Sequence, residues 1–145
     1  KIREYGMPEN RDSMFNLAND LRAAYGPSYV TDQLYGQAIL KGRNSVIESI
    51  RTTGEISSLR EKGAFCLFAV DADPEIRYHR ILLRKSETDR ISYETFLENE
   101  QRESVSADPG FQNLRACINQ ADYLFLNNGS MQELFIQVDK VLKEI

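Results

Sequence analysis

Only two cysteines and one histidine stand among the 145 residues, and each scarcity removes a class of chemistry. Cys66 and Cys117 lack metal-ligand spacing and are too few for a disulfide framework, so free buried thiols and a reducing, cytoplasmic compartment are the expectation. His79 has no partner that the sequence can name, and no metal site is expected. No run approaches the roughly 18 apolar residues of a membrane span, and no signal peptide is visible, so no membrane association is expected. Serine and cysteine nucleophile patterns are absent, which argues against a nucleophilic hydrolase. Repeats, linkers and low-complexity tracts are absent too. So is G-x-x-x-x-G-K-[ST], the glycine-rich loop that cradles phosphates with its backbone N–H groups.

What remains is a chain with 41% hydrophobic and 28% charged residues, enough for one globular domain with its own core. The net charge of −4 argues against a general nucleic-acid binder. Pro8-Glu9-Asn10 opens a helix carrying Met14, Leu17, Ala18, Leu21 and Ala24 at three- and four-residue spacing, and Gly26-Pro27 ends it. The period resumes from Tyr29 through Val30, Leu34 and Ala38, so residues 9–41 read as a helical hairpin. Ser45–Ile50 reads as a strand, Thr53–Lys62 as a helix stopped by Gly63, and Ala64–Val70 as a strand apolar on both faces, as in a central parallel strand.

Asp73-Pro74 combines a capping residue with proline at the first helical position, opening a helix to about Arg84. Residues 85–91 form a short polar connection. A glutamate-rich helix from Ser92 to about Glu103, a helix over Phe111–Gln120, a strand at Tyr123–Leu126 and a Ser130-capped amphipathic helix complete the chain. The alternation predicts an α/β fold with a parallel sheet.

Parallel α/β sheets bind ligands beyond the carboxyl ends of their strands. Two residue groups fall there: Arg51 after the first strand and Asn127-Asn128-Gly129 after the last. Arg77, Arg80 and Arg84 share one helical face at i, i+3 and i+7, with Lys85 and Arg90 just beyond. Each group has a plainer reading: a surface arginine, a turn followed by a cap, and a solvated helix face balanced by Glu94, Glu98, Glu100 and Glu103. Arg102, among those glutamates, reads as an ion-pair partner.

The ordered set Ser45-Val-Ile-Glu-Ser-Ile-Arg51, Val70-Asp-Ala-Asp-Pro-Glu-Ile-Arg77 and Ala121-Asp-Tyr-Leu-Phe-Leu-Asn-Asn-Gly-Ser130 resembles P-loop kinases of the dephospho-CoA kinase and nucleoside monophosphate kinase group. It is closest to adenylate-kinase-related archaeal members. The resemblance implies a three-layer fold with five parallel strands, in which Ser45–Ile50 and Ala64–Val70 flank a central P-loop strand. That strand is not in this sequence, so the resemblance implies an incomplete domain, completed by upstream residues or by pairing with another copy in a homodimer.

It further implies ATP and magnesium as cofactors and phosphoryl transfer to a nucleotide or small-molecule acceptor covered by the 9–41 hairpin. Glu48 would orient a metal-bound water or the acceptor, although the family usually has aspartate there. Arg51 and Arg77 would bind the acceptor, and Arg84 and Arg90 would close over the transferring group in a lid at residues 85–91. Asn127, Asn128 and Gly129 would lie near the adenine. Without a phosphate loop these residues alone are expected to be inactive. The alternative is a degenerate kinase-like module that binds nucleotide or protein without catalysis.

Overall fold

The computed structural model describes residues 6, 8, 10–84, 91–104 and 112–145, with Arg11 known by its backbone alone. Among the described residues seven helices and two strands follow in the order α1 (Arg11–Tyr25), α2 (Tyr29–Leu40), α3 (Thr53–Glu61), β1 (Phe68–Asp71), α4 (Pro74–Arg84), α5 (Tyr93–Ser104), α6 (Leu114–Asn119), β2 (Tyr123–Leu126) and α7 (Met131–Leu142). The chain divides into two compact units, residues 1–65 with 101–119, and residues 66–100 with 120–145. No described helix is long and apolar enough to cross a membrane.

The first unit is helical. Asn10 starts α1 by accepting the Ser13 N–H at 2.8 Å. Gly26 ends it at φ 106°, a backbone angle that side-chain-bearing residues rarely adopt, while its N–H reaches the Arg22 carbonyl at 2.8 Å. Thr52 and Glu55 form a reciprocal capping box at the start of α3. Ile56 and Leu59 of α3 are fully buried, and Cys117 of α6 is buried in the same unit. Burial, reinforced by the Glu55 carboxylate, pushes the Cys117 thiol up to about 11, which leaves it a packing group rather than a nucleophile. Cys66, expected to be buried, is exposed and lies just ahead of β1.

Asp32 of α2 joins that helix to α3. Its carboxylate accepts from Ser28 Oγ at 2.7 Å, Ser58 Oγ at 2.7 Å and Lys62 Nζ at 2.6 Å. Partial burial acts to raise this carboxyl, but the hydrogen bonds from Lys62, Ser58 and Ser28 and the Lys62 charge outweigh it and hold it below the usual range. A depressed folded-state value stabilises the protein above the unfolded carboxylate range, about pH 4, and that contribution is lost as the pH falls through the folded value. Urea titrations of the native chain and Asp32→Asn at pH 7 and at successively lower pH are therefore expected to show a shallower acid loss in the variant. Parallel declines would contradict this role.

The second unit holds the sheet. β1 and β2 pair in parallel, Phe68 opposite Tyr123 through Asp71 opposite Leu126. The Phe68 ring meets the Tyr123 and Phe125 rings edge-on at 5.6 and 5.2 Å. Leu67, Ala72, Phe96, Phe125 and Val141 are its buried apolar residues. The fold is α/β as expected, but two strand expectations are corrected. Ser45–Ile50 is not a strand: residues 44–52 make no ladder among the described residues, Val46 is 89% exposed, and Ser49 sits at φ 65°. An extended run becomes a strand only where a neighbour takes its N–H and C=O groups. For the same reason the strand expected over Ala64–Val70 begins only at Phe68, where β2 supplies a partner.

Candidate functional site

At the carboxyl ends of β1 and β2 a network of hydrogen bonds ties the two strand ends to α4. The Asn127 N–H continues the ladder onto the Asp71 carbonyl at 2.7 Å. Asn128 Oδ1 accepts the Asp73 N–H at 2.9 Å, so the turn after β2 holds the turn after β1. Asp73 then opens α4, its carbonyl accepting the Arg77 N–H at 3.0 Å.

Two arginines of α4 reinforce this edge. Arg80 donates to the Asn127 carbonyl at 2.6 Å and to the Gly129 carbonyl at 2.9 Å, clamping the whole turn. Arg77 donates to Asp71 Oδ1 at 2.6 Å, to the Ala72 carbonyl, and in a two-pronged pair to Glu100 Oε1 at 2.9 Å and Oε2 at 2.5 Å. Partial burial acts to lower the Arg77 guanidinium, but Glu100 and Asp71 outweigh it and raise it further above its ordinary value.

Ser130 caps α7, and Glu133 returns the bond to the Ser130 N–H at 2.6 Å and to its hydroxyl at 3.0 Å. These bonds hold the Glu133 carboxyl below the usual range. A Cβ on Gly129 would come within 2.0 Å of Glu133 Oε2, so a side chain there would displace the Glu133 carboxylate from its place on the cap. An open cleft of about 350 Å³ lies beside the turn, lined by Leu126, Asn128, Gly129, Glu133, Ile136 and Gln137. One group stays unsatisfied: Asn127 Oδ1 is buried without a hydrogen-bond partner among the described residues.

The sequence candidates therefore fall into three sets. Arg77, Asn127, Asn128 and Gly129 meet at this strand edge, together with Arg80, Asp71 and Glu100. Arg51 and Glu48 belong to the first unit. Arg51 Nη1 pairs with Glu103 at 3.0 Å and with Gln112 at 3.3 Å, while its guanidinium side chain keeps 40% of its surface exposed. Glu48 is exposed on the unladdered segment. Arg84 lies exposed in the last turn of α4. Arg90, and residues 85–90 of the lid expected at 85–91, lie outside the described residues. No group of three or more His, Cys, Asp or Glu side chains that could hold a metal ion occurs among the described residues.

Glu100 and the clamp made by Arg80 were not assigned to the site from sequence. Nothing in the spacing of Arg77 and Glu100, 23 residues apart, announces their pairing. Of the capping boxes Thr52-x-x-Glu55 and Ser130-x-x-Glu133, only the Ser130 cap was read from sequence, although both carry the signature that would have found them.

These features define an α/β protein with a parallel strand pair and a hydrogen-bonded polar network at the carboxyl ends of its strands. The chain belongs to the UPF0200 family. It is 32% identical to the UPF0200 protein of Thermococcus kodakarensis over 97% of this chain and 76% of the relative. It is 28% identical to that of Methanocaldococcus jannaschii over 100% and 72%, and 26% identical to that of Methanococcus maripaludis over 97% and 75%. No family model and no solved structure matches the chain.

Proposed function

We propose that this is a kinase-like protein that holds an adenine nucleotide on the Asn127–Gly129 turn. In this reading, phosphoryl transfer from ATP and magnesium to a nucleotide or small-molecule acceptor requires a phosphate loop that these 145 residues do not contain. The observation that carries the reading is the buried Asn127 Oδ1 with no partner among the described residues, placed at the carboxyl end of β2. A buried acceptor left unpaired costs roughly 1–3 kcal/mol. A ligand donor such as the exocyclic amine of adenine would remove that cost once the Asn127 side chain turns toward the neighbouring cleft, which is lined by Asn128 and Gly129 rather than by Asn127 itself and offers room for a ring.

Binding without transfer is the second reading, favoured by a different observation. Arg51 and Arg77, two of the described candidates for gripping phosphates, already donate to Glu103, Asp71 and Glu100. An arginine engaged by protein carboxylates offers less to an incoming anion.

Nitrogen-resolved NMR of the chain titrated with ATP or GTP tests the reading. ATP is expected to shift the Asn127 side-chain amide and the Gly129 amide saturably. GTP, which carries a carbonyl where adenine has the amine, is expected to bind less tightly, and Asn127→Leu is expected to erase the difference. With magnesium present no ADP should form. Unmoved Asn127 and Gly129 resonances at saturating ATP would sink the nucleotide reading, and steady ADP formation would sink the reading without transfer.

A further inference from the structure

The second unit carries another recess, separate from the nucleotide proposal in both residues and chemistry. It has a volume of about 220 Å³ and is lined by Glu75, Tyr78, His79 and Tyr93. The helical period places it there: Glu75, Tyr78 and His79 stand at i, i+3 and i+4 on α4, and Tyr93 is the first residue of α5. The Tyr78 and Tyr93 rings meet edge-on, 5.1 Å apart at 60°. Phe96, 2% exposed, backs both, 5.5 Å from Tyr78 and 6.0 Å from Tyr93. The Tyr78 hydroxyl donates to the Ile91 carbonyl at 3.0 Å, which fixes the ring. The recess is therefore built on a packed aromatic cluster.

We propose that this recess binds an organic ammonium group. Among the described residues its lining supplies one carboxylate, the Tyr78 and Tyr93 rings and the His79 imidazole, and no lysine or arginine. Aromatic faces carry negative quadrupole density and attract a cation within about 6 Å of their centres. The Glu75 carboxylate adds a full negative charge at the same opening. A bare sodium ion would have to shed water against ring carbon, whereas an alkylated ammonium spreads its charge over methyl or methylene groups that pack there. The volume lies below the ~300–1,000 Å³ of sites for drug-sized ligands, which fits a headgroup rather than a nucleotide.

The test is aromatic carbon-resolved NMR of the intact chain titrated with tetramethylammonium chloride, and separately with N-acetyl-lysine methylamide, at constant ionic strength balanced with sodium chloride. Both Tyr78 and Tyr93 ring resonances are expected to move saturably. Glu75→Gln, an exposed change that leaves packing alone, is expected to weaken binding roughly three- to fivefold, the range for a single cation contact near the surface. Tyr93→Phe keeps the ring and should bind as the native chain does, whereas Tyr93→Leu should lose binding. Tighter binding of tetramethylammonium would identify a free quaternary ion as the natural occupant, and tighter binding of the lysine amide a basic side chain of a protein partner. The proposal is overturned if sodium chloride alone moves the same resonances, if the shifts do not saturate, or if Glu75→Gln binds with native affinity. Because the Asn127 and Gly129 resonances report the nucleotide reading, failure of either proposal is visible without affecting the other.

Discussion

Glu55→Ala is expected to lower the free energy of unfolding by about 3–5 kcal/mol, the range for removing one partner of a buried ion pair. Glu55 is 3% exposed and serves three groups at once. It accepts the Arg51 N–H at 2.8 Å and the Thr52 N–H at 3.1 Å, and lies 3.7 Å from Arg22 Nη1. The Arg22 side chain is only 4% exposed, and burial already lowers its guanidinium below the ordinary value despite Glu55. Alanine would remove that carboxylate and leave the buried Thr52 N–H and the half-buried Arg51 N–H at the start of α3 without their acceptor. Glu55→Gln keeps an acceptor but no charge, and an intermediate loss is expected. Adding Arg22→Met to Glu55→Ala should recover part of the stability, since no buried cation then remains. Urea unfolding of the four proteins decides the matter. A loss under 1 kcal/mol for Glu55→Ala would mean the pair is already solvated.

Arg77→Ala is expected to cost about 2 kcal/mol, the scale of hydrogen bonds to charged groups reduced by partial solvent exposure. Its side chain and those of Asp71 and Glu100 keep 30%, 40% and 27% of their surfaces exposed, so the effect is smaller than for Glu55. The consequence is also local. Without Arg77 the end of β1 loses its tie to Glu100 of α5, and the amide resonances of Asp71, Ala72 and Asn127 should shift most. Arg77→Lys can keep one ion pair but not the planar fork on Glu100, so it should restore only part of the stability. A substrate-binding role makes the opposite forecast: stability would barely move and only ligand affinity would fall.

The helices were legible because their signals are local. Pro74 follows Asp73, Gly26 breaks the hairpin and Ser130 caps α7, each acting within a turn of its own position. The Ser45–Ile50 strand was misread because its pattern was right but pairing is not a property of a segment: no described strand takes its backbone groups. Arg51 and Arg77 were read as acceptor ligands from the family resemblance, Arg51 at a strand end and Arg77 on the arginine face it shares with Arg80 and Arg84. Their carboxylate partners Glu100 and Glu103 lie far along the chain, and sequence offered those glutamates only as a general charge balance.

By itself the amino-acid sequence determined the α/β alternation, the helix ends, the shared arginine face of α4 and the lack of a phosphate-binding glycine loop, because each depends on residues within a few positions of one another. Only the tertiary structure decided which strands find partners, that Arg80 clamps the Asn127–Gly129 turn while Arg77 is held by Asp71 and Glu100, and that Asn127 Oδ1 is buried without a partner among the described residues. Those outcomes depend on distances between groups remote in sequence, which the folded chain alone sets.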